Sequence, residues 1–68
     1  MEMTEDQLAA LNEAIRKGGG IVKLAATLDV TISAIQQWRS RGIPPKRVKA
    51  LEAASGVPRA RLAPDLYA

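Results

Sequence analysis

The sequence predicts an all-α fold, a compact bundle of four to five short helices, and three observations support this prediction. Alanine and leucine are the commonest apolar residues, and only two aromatic residues, one Trp and one Tyr, occur among 68. Apolar residues recur at intervals of three and four, as on one face of a helix, and no segment alternates like a strand. The chain is short enough for one small core, so we expect a single domain over residues 1–68.

The first predicted helix begins after Thr4. The Thr4 hydroxyl and Gln7, three residues later, form the sequence pattern of a capping box. An apolar stripe continues the helix at Leu8, Leu11, Ala14 and Ile15. The run Gly18–Gly20 ends it, because glycine disfavours the helix. This run neither follows a strand nor precedes a Lys-Ser or Lys-Thr pair, so we interpret it as a flexible connection and not as a phosphate-binding loop.

Two short helices joined by a three-residue turn form the pattern of a helix-turn-helix at residues 21–40. The first of them ends at Leu28, and the second is capped by Thr31 or Ser33. The steep crossing of such a pair requires a small residue at its closest point, which Ala25 provides. The remaining apolar positions suit a shared core: Leu24, Leu28, Val30, Ile35 and Trp38. An ordinary helical hairpin in a small bundle is the alternative that this pattern leaves open.

The rest of the chain is predicted to form one further helix and a final turn. The fourth helix is expected from Pro45 to Gly56, because proline favours the first turn of a helix and apolar residues follow at helical spacing. A last turn or short helix follows over residues 58–62. We expect the tail, residues 63–68, to be extended from Pro64 onward.

Positive charge is concentrated in the second half of the chain. Ten Lys and Arg against seven Asp and Glu give a net charge of +3. Seven of these basic residues lie between Arg39 and Arg61, where Glu52 is the one acid. Such a basic half is typical of nucleic-acid binding, although many other domains share it. With no signal-peptide pattern and no apolar run near the ~20 residues that span a bilayer, we expect a cytoplasmic protein that does not enter a membrane.

An enzymatic function is not expected. Without histidine, no imidazole can activate Ser33, Ser40 or Ser55, and without cysteine there is no thiol nucleophile. The acidic residues are scattered and form no cluster suited to a metal ion. We therefore expect neither a metal nor a cofactor.

Three short segments make the chain resemble a known family. They are Lys23-Leu24-Ala25, the run WRSRGIP at residues 38–44, and Pro64-Asp65-Leu66-Tyr67, in this order between Gly20 and Tyr67. Together they resemble the Cro and cI type of phage repressor, and more narrowly its YdaS-like group. The resemblance implies a lambda-repressor-like all-α domain of a phage or prophage that binds DNA, commonly as a dimer, and represses transcription. Some YdaS-like members are antitoxins.

Two positions depart from the family pattern. Asp29 lies in the turn where relatives usually have glycine, and the position is expected to be left-handed, a conformation that Asp tolerates at some cost. Ala63 stands where relatives commonly carry Arg before Pro-Asp. Whatever that Arg contributes is absent here, which leaves the role of the tail open.

The motif also indicates which residues would contact DNA. The recognition helix, about residues 31–40, would lie in the major groove with its outward face on base edges. Gln can bond to adenine, Ser and Thr can bond to several bases, and Ile can contact a thymine methyl. The candidates for base contacts are Thr31, Ile32, Ser33, Gln36, Gln37 and Ser40. The candidates for phosphate contacts are the flanking basic residues Lys23, Arg39, Arg41, Lys46 and Arg47.

We expect a sequence-specific repressor that binds a double-stranded DNA operator as a homodimer. The alternative is an antitoxin or interaction module that keeps the fold and binds a protein partner, such as a toxin, with weak specific DNA binding or none. The apolar tail from Leu62 to Tyr67 is a candidate surface for such a contact. In that case Gln36 and Gln37 would form a solvated helix face and Ile32 would pack locally. Three further basic residues are interpreted as solvated surface: Lys49, Arg59 and Arg61.

Overall fold

The computed structural model describes residues 4–67, which form five helices. They are α1 (Glu5–Lys17), α2 (Ile21–Leu28), α3 (Ile32–Arg41), α4 (Pro45–Ser55) and α5 (Arg59–Leu62). No strand occurs between residues 4 and 67, which confirms the all-α prediction. None of the described helices is both long and apolar enough to cross a bilayer. The last residue of the predicted tail, Ala68, lies outside the described residues.

The core lies between α1, α2, α4 and α5. Helix α4 packs against α1, α2 and α5, and α1 also contacts α2 and α5. Helix α3 packs chiefly on α2. Each of the five helices contributes a fully buried side chain to one cluster: Leu11, Leu24, Ile35, Leu51 and Leu62. Because the helices are short, their stability depends on this shared cluster and not on helix propensity alone.

Most of the predicted core positions are buried. Four of the five helix-turn-helix positions are buried, and the fifth, Val30, is half-buried against the core. In α1, Leu8 is only half-buried, whereas Ala10, which the predicted stripe omits, is fully buried. Val57 is also fully buried, although it lies between two helices. Helical spacing cannot identify a core residue that lies outside a helix.

Hydrogen bonds close both ends of α1. At its start, the Thr4 hydroxyl accepts from the Gln7 N–H at 3.2 Å, and the Gln7 side-chain oxygen accepts from the Thr4 N–H at 2.9 Å. This is the predicted capping box. At its end, the N–H groups of Gly18–Gly20 donate to the carbonyls of Ala14, Arg16 and Ile15. The predicted flexible connection is therefore wrong: the glycines form a hydrogen-bonded turn, in which Gly19 and Gly20 adopt the positive φ values of 95° and 103° that glycine permits.

Two side chains of α4 hold the connection to α5. The buried Ser55 hydroxyl donates to the Leu51 carbonyl at 2.7 Å and accepts from the Val57 N–H at 3.2 Å. The Glu52 carboxylate accepts from the Arg59 N–H at 2.7 Å. A carboxylate at the start of a helix satisfies an unpaired N–H and complements the helix dipole. The position of α5 is thus fixed by α4 as well as by the core.

The prediction of an extended tail is wrong for residues 64–67. Ala63 is buried, and its carbonyl accepts the N–H groups of Leu66 and Tyr67, both at 3.0 Å. The chain turns at the Pro-Asp pair that follows Ala63, because proline presets the φ of a turn and Asp is common beside it. Tyr67 then packs against the core, and the guanidinium of Arg59 lies 5.1 Å from the centre of its ring.

Candidate nucleic-acid interface

A turn of three residues, 29–31, joins α2 to α3, as the helix-turn-helix pattern predicts. Asp29 has φ 57° and ψ 47°, which confirms the left-handed conformation expected there. This conformation directs the N–H groups of Asp29 and Val30 back to the carbonyls of Ala26 and Ala25, at 3.2 and 3.0 Å. The last turn of α2 is therefore closed before the chain enters α3.

Thr31 fixes the start of α3. Its hydroxyl oxygen accepts the Ala34 N–H at 3.0 Å, so Thr31 and not Ser33 is the cap. Further along the helix, Ile35 is fully buried and Trp38 is 5% exposed. These two residues are three apart, so they hold one face of α3 in the core and leave the opposite face to solvent. The interpretation of Trp38 as a core residue is confirmed.

The structure brings the six candidates for base contacts onto exposed positions of α3 and its cap. All six are exposed: Thr31, Ile32, Ser33, Gln36, Gln37 and Ser40. The Ser40 hydroxyl donates to the Gln37 carbonyl at 3.2 Å, which leaves its oxygen free to accept a further bond. Ile32 is 39% exposed and does not belong to the core cluster or to the residues packed on it. Contact between these side chains and DNA bases stays a prediction.

Four of the candidates for phosphate contacts are exposed and come from three helices. Lys23 lies on α2, Arg39 and Arg41 lie in the last turn of α3, and Lys46 lies at the start of α4. None of the four forms an ion pair with another residue of the described range 4–67. Their charges are therefore available to an external anion.

Arg47 differs from the other candidates for phosphate contacts. It is half-buried, and its Nη1 donates to the Leu28 carbonyl at 3.4 Å. A cation beside the last carbonyls of a helix offsets their unpaired state and the helix dipole. Arg47 therefore helps to hold the end of α2 on α4. The sequence gives no signal for this bond, because its partners lie 19 residues apart.

Lys49, Arg59 and Arg61 are exposed, as predicted, and so are Arg16 and Lys17. Two of these five residues form ion pairs away from α3. Arg61 Nη1 lies 2.8 Å from Glu13 Oε2, and Lys17 Nζ lies 3.7 Å from the same oxygen. The hydrogen bond from Arg61, together with the nearby positive charges, lowers the pKa of Glu13 against the opposing effect of desolvation. The Arg61–Glu13 pair joins α1 to α5, whereas the Lys17–Glu13 pair lies within α1. Neither pair adds to the positive charge near α3.

Two features of the surface were not singled out by the sequence. Val22 on α2 is 68% exposed, and six of the eight residues of α2 are apolar, more than one buried face can hold. This excess of apolar residues in α2 is the sequence signal that could have identified Val22 as exposed. A cleft of about 520 Å³ also lies between the start of α1 and α5, lined by Thr4, Asp6, Ala9, Ala60, Arg61 and Pro64. No residue of α2 or α3 lines this cleft.

The fold and the exposed face of α3 define a small helix-turn-helix protein. Residues 11–68 match the family described as bacterial toxin YdaS, and the chain belongs to that family. The match includes the second half of α1 and all of α2 to α5, which confirms the YdaS-like resemblance. No match was found among curated proteins or among solved structures.

Proposed function

We propose that this protein binds double-stranded DNA sequence-specifically and represses transcription in the manner of Cro, as a homodimer with α3 in the major groove. The observation that carries the proposal is the division of α3 into two faces. Ile35 and Trp38 anchor one face in the core, while residues able to contact base edges lie exposed on the other. A helix anchored in this way can enter the groove without any rearrangement of the core.

The exposed face of α3 offers suitable chemistry for reading bases. Gln36 and Gln37 each carry an amide that can donate to and accept from adenine, and Ser33 can bond to several bases. None of these side chains is charged, so attraction to the DNA backbone must come from other residues. The exposed cations of α2, α3 and α4 supply it: Lys23, Arg39, Arg41 and Lys46. The start of α2 has no side-chain cap and can add backbone N–H donors to a phosphate.

The first test is a selection of binding sites from a random duplex library at near-physiological salt. A two-fold symmetric motif with half-sites about one helical turn apart is expected from a homodimer. A single half-site would keep the DNA-binding proposal and remove the dimer from it. A folded protein that enriches no sequence would contradict sequence-specific binding.

A pair of variants separates base readers from phosphate contacts. Gln36→Ala should weaken the preference at one base pair by about 1–3 kcal/mol, because one bidentate contact is lost. Arg41→Ala should weaken binding to all sequences alike and reduce the salt slope by about one. Lys49→Ala is the matched control, since it removes one exposed charge that we do not place at the groove. Identical behaviour of the Gln36 and Arg41 variants would show that the division into readers and phosphate contacts is wrong.

The second candidate function is binding of a protein partner in a toxin–antitoxin pair. The description of the family as a toxin supports it, and so does the surface between α1 and α5. Leu66, two residues after the cleft-lining Pro64, is 53% exposed. Because this surface uses no residue of α2 or α3, a protein partner and DNA would occupy different helices. Leu66→Ser should weaken binding to such a partner and leave DNA affinity unchanged.

A further inference from the structure

Ile32 is an exposed apolar residue that the core does not explain. It is the first residue of α3, it is 39% exposed, and it lies outside the core cluster and the residues packed on it. Within residues 4–67, the other large apolar side chains exposed to a similar or greater degree are Val22 and Leu66, which lie outside α3. Ile32 therefore places isolated apolar surface on the helix face that otherwise carries polar side chains.

The exposed neighbours of Ile32 on the outward face of α3 are polar. Thr31 and Ser33 flank it in sequence, and Gln36 lies one helical turn further on the same face. The Thr31 hydroxyl oxygen is already bonded to the Ala34 N–H. The N-terminal residues of a recognition helix are those that reach base edges. Ile32 is thus placed where the exposed part of its side chain would meet a base pair.

We infer that Ile32 is a specificity-determining residue that contacts the 5-methyl group of a pyrimidine in the major groove. This inference rests on the proposed DNA binding through α3. Among the four bases, thymine alone presents a methyl group in that groove, while the other major-groove groups are hydrogen-bond donors or acceptors. An aliphatic side chain cannot form hydrogen bonds, and it would leave a buried donor or acceptor unsatisfied. The methyl group is therefore its one complementary partner.

The proposed contact distinguishes bases by one carbon atom, the methyl group of the pyrimidine. Thymine and 5-methylcytosine both carry the methyl group at ring position 5, whereas uracil and unmodified cytosine lack it. The protein therefore discriminates between DNA that has this methyl group and DNA that lacks it at one position of each half-site. Burying one methyl or methylene group contributes about 0.8 kcal/mol, which corresponds to about a fourfold change in affinity.

The test is a double-mutant cycle in which the Ile32 side chain and one pyrimidine methyl group are removed separately and together. The probe is the duplex enriched by the selection described above, synthesised with each thymine replaced in turn by uracil. The wild-type protein should lose about fourfold in affinity at one position of each half-site. Ile32→Ala should bind more weakly to the thymine duplex and show no further loss on replacement by uracil. Val22→Ala, a change at an exposed residue of α2, should keep the full discrimination.

A second pair of duplexes tests the same contact with a different base. The uracil-sensitive position is replaced by a cytosine–guanine pair, with or without a 5-methyl group on the cytosine. The wild-type protein should gain about fourfold from the methyl group, and Ile32→Ala should gain nothing. Ile32→Asn removes every methyl group of the side chain and replaces them with an amide, so it should also lose the discrimination even if the alanine variant folds poorly.

Each outcome of the cycle decides the inference. Equal wild-type affinity for every thymine and uracil duplex overturns it while the proposed DNA binding stands. Discrimination that persists in both Ile32 variants also overturns it, because the methyl group then acts through DNA shape or another residue. If the selection enriches no duplex, the proposed function and this inference fall together.

Discussion

At the scale of single residues, Asp29 is in a conformation that its side chain disfavours. Within the described residues it alone combines a positive φ, 57°, with a side chain, since the others are glycines. It also follows the last residue of α2, where a negative charge faces the negative end of the helix dipole. Both effects work against stability.

Asp29→Gly should therefore raise the free energy of unfolding by about 0.5–1 kcal/mol. Thermal and urea unfolding of the two proteins measure this change. Ala26→Gly is the matched control, because it introduces the same residue at an exposed, right-handed position of α2 and should lower stability by about 0.5–1 kcal/mol. No gain from Asp29→Gly would show that the left-handed geometry costs nothing at this turn.

Trp38 is one of the two residues that hold α3 in the core. It is 5% exposed and belongs to the core cluster. Trp38→Ala should cost ~3–5 kcal/mol, most of what a domain of this size has to lose. Gln37→Ala, at the neighbouring exposed position, should change stability by less than about 0.5 kcal/mol. Circular dichroism during urea unfolding measures both. A Trp38→Ala protein that stays fully folded and loses only DNA binding would show that the core assignment is wrong.

At the scale of helices, α1 is joined to α2 and α5 by residues in and just after its second half. Gly18 allows α2 to approach closely, since a Cβ atom there would lie 2.8 Å from Leu24 Cδ1. The Glu13–Arg61 pair joins α1 to α5. Because the hydrogen bond from Arg61 lowers the pKa of Glu13, the folded state favours the ionised carboxylate.

This pair makes a part of the stability dependent on pH. The contribution of Glu13 is fully present above the ordinary Glu pKa of about 4.3 and is lost as the pH falls through the lowered pKa of the folded state. Arg61→Ala should remove it, so the melting temperature of this variant should fall less steeply between about pH 5 and pH 2. Lys49→Ala removes an exposed charge elsewhere and should leave the slope unchanged. Parallel curves for Arg61→Ala and wild type would show that the pair contributes nothing.

At the scale of the whole molecule, the effect of salt on binding distinguishes DNA binding from binding of a protein partner. The net charge is +3, and six of the eight basic residues that form no ion pair within residues 4–67 lie on α2, α3 and α4. A homodimer that neutralises four phosphates per chain, eight in all, should show a slope of about −7.2 in log affinity against log salt, and a single bound chain should show about half of that. Fluorescence anisotropy with the selected duplex between low and near-physiological salt measures this slope. A slope near zero would contradict the proposed backbone contacts and favour a protein partner.

The sequence predicted the helices well because their signals are local. Thr4, Gln7 and Thr31 act on residues three positions away, and a stop at Gly42 or Gly56 needs no distant partner. The outward face of α3 followed from the positions of its buried residues for the same reason. The predictions failed at the glycine turn and at the tail, where hydrogen bonds to particular carbonyls decide the path of the chain.

The sequence by itself therefore determined the helical class, the helix-turn-helix at residues 21–40 and the face of α3 that is exposed. Periodicity and capping are properties of neighbouring residues, and they hold whatever the rest of the chain does. Only the tertiary structure decided that Arg47 bonds to the end of α2, that Glu52 caps α5 and that Arg61 pairs with Glu13. These contacts join residues 7 to 48 positions apart, and their formation depends on how the helices pack and not on the sequence around either partner.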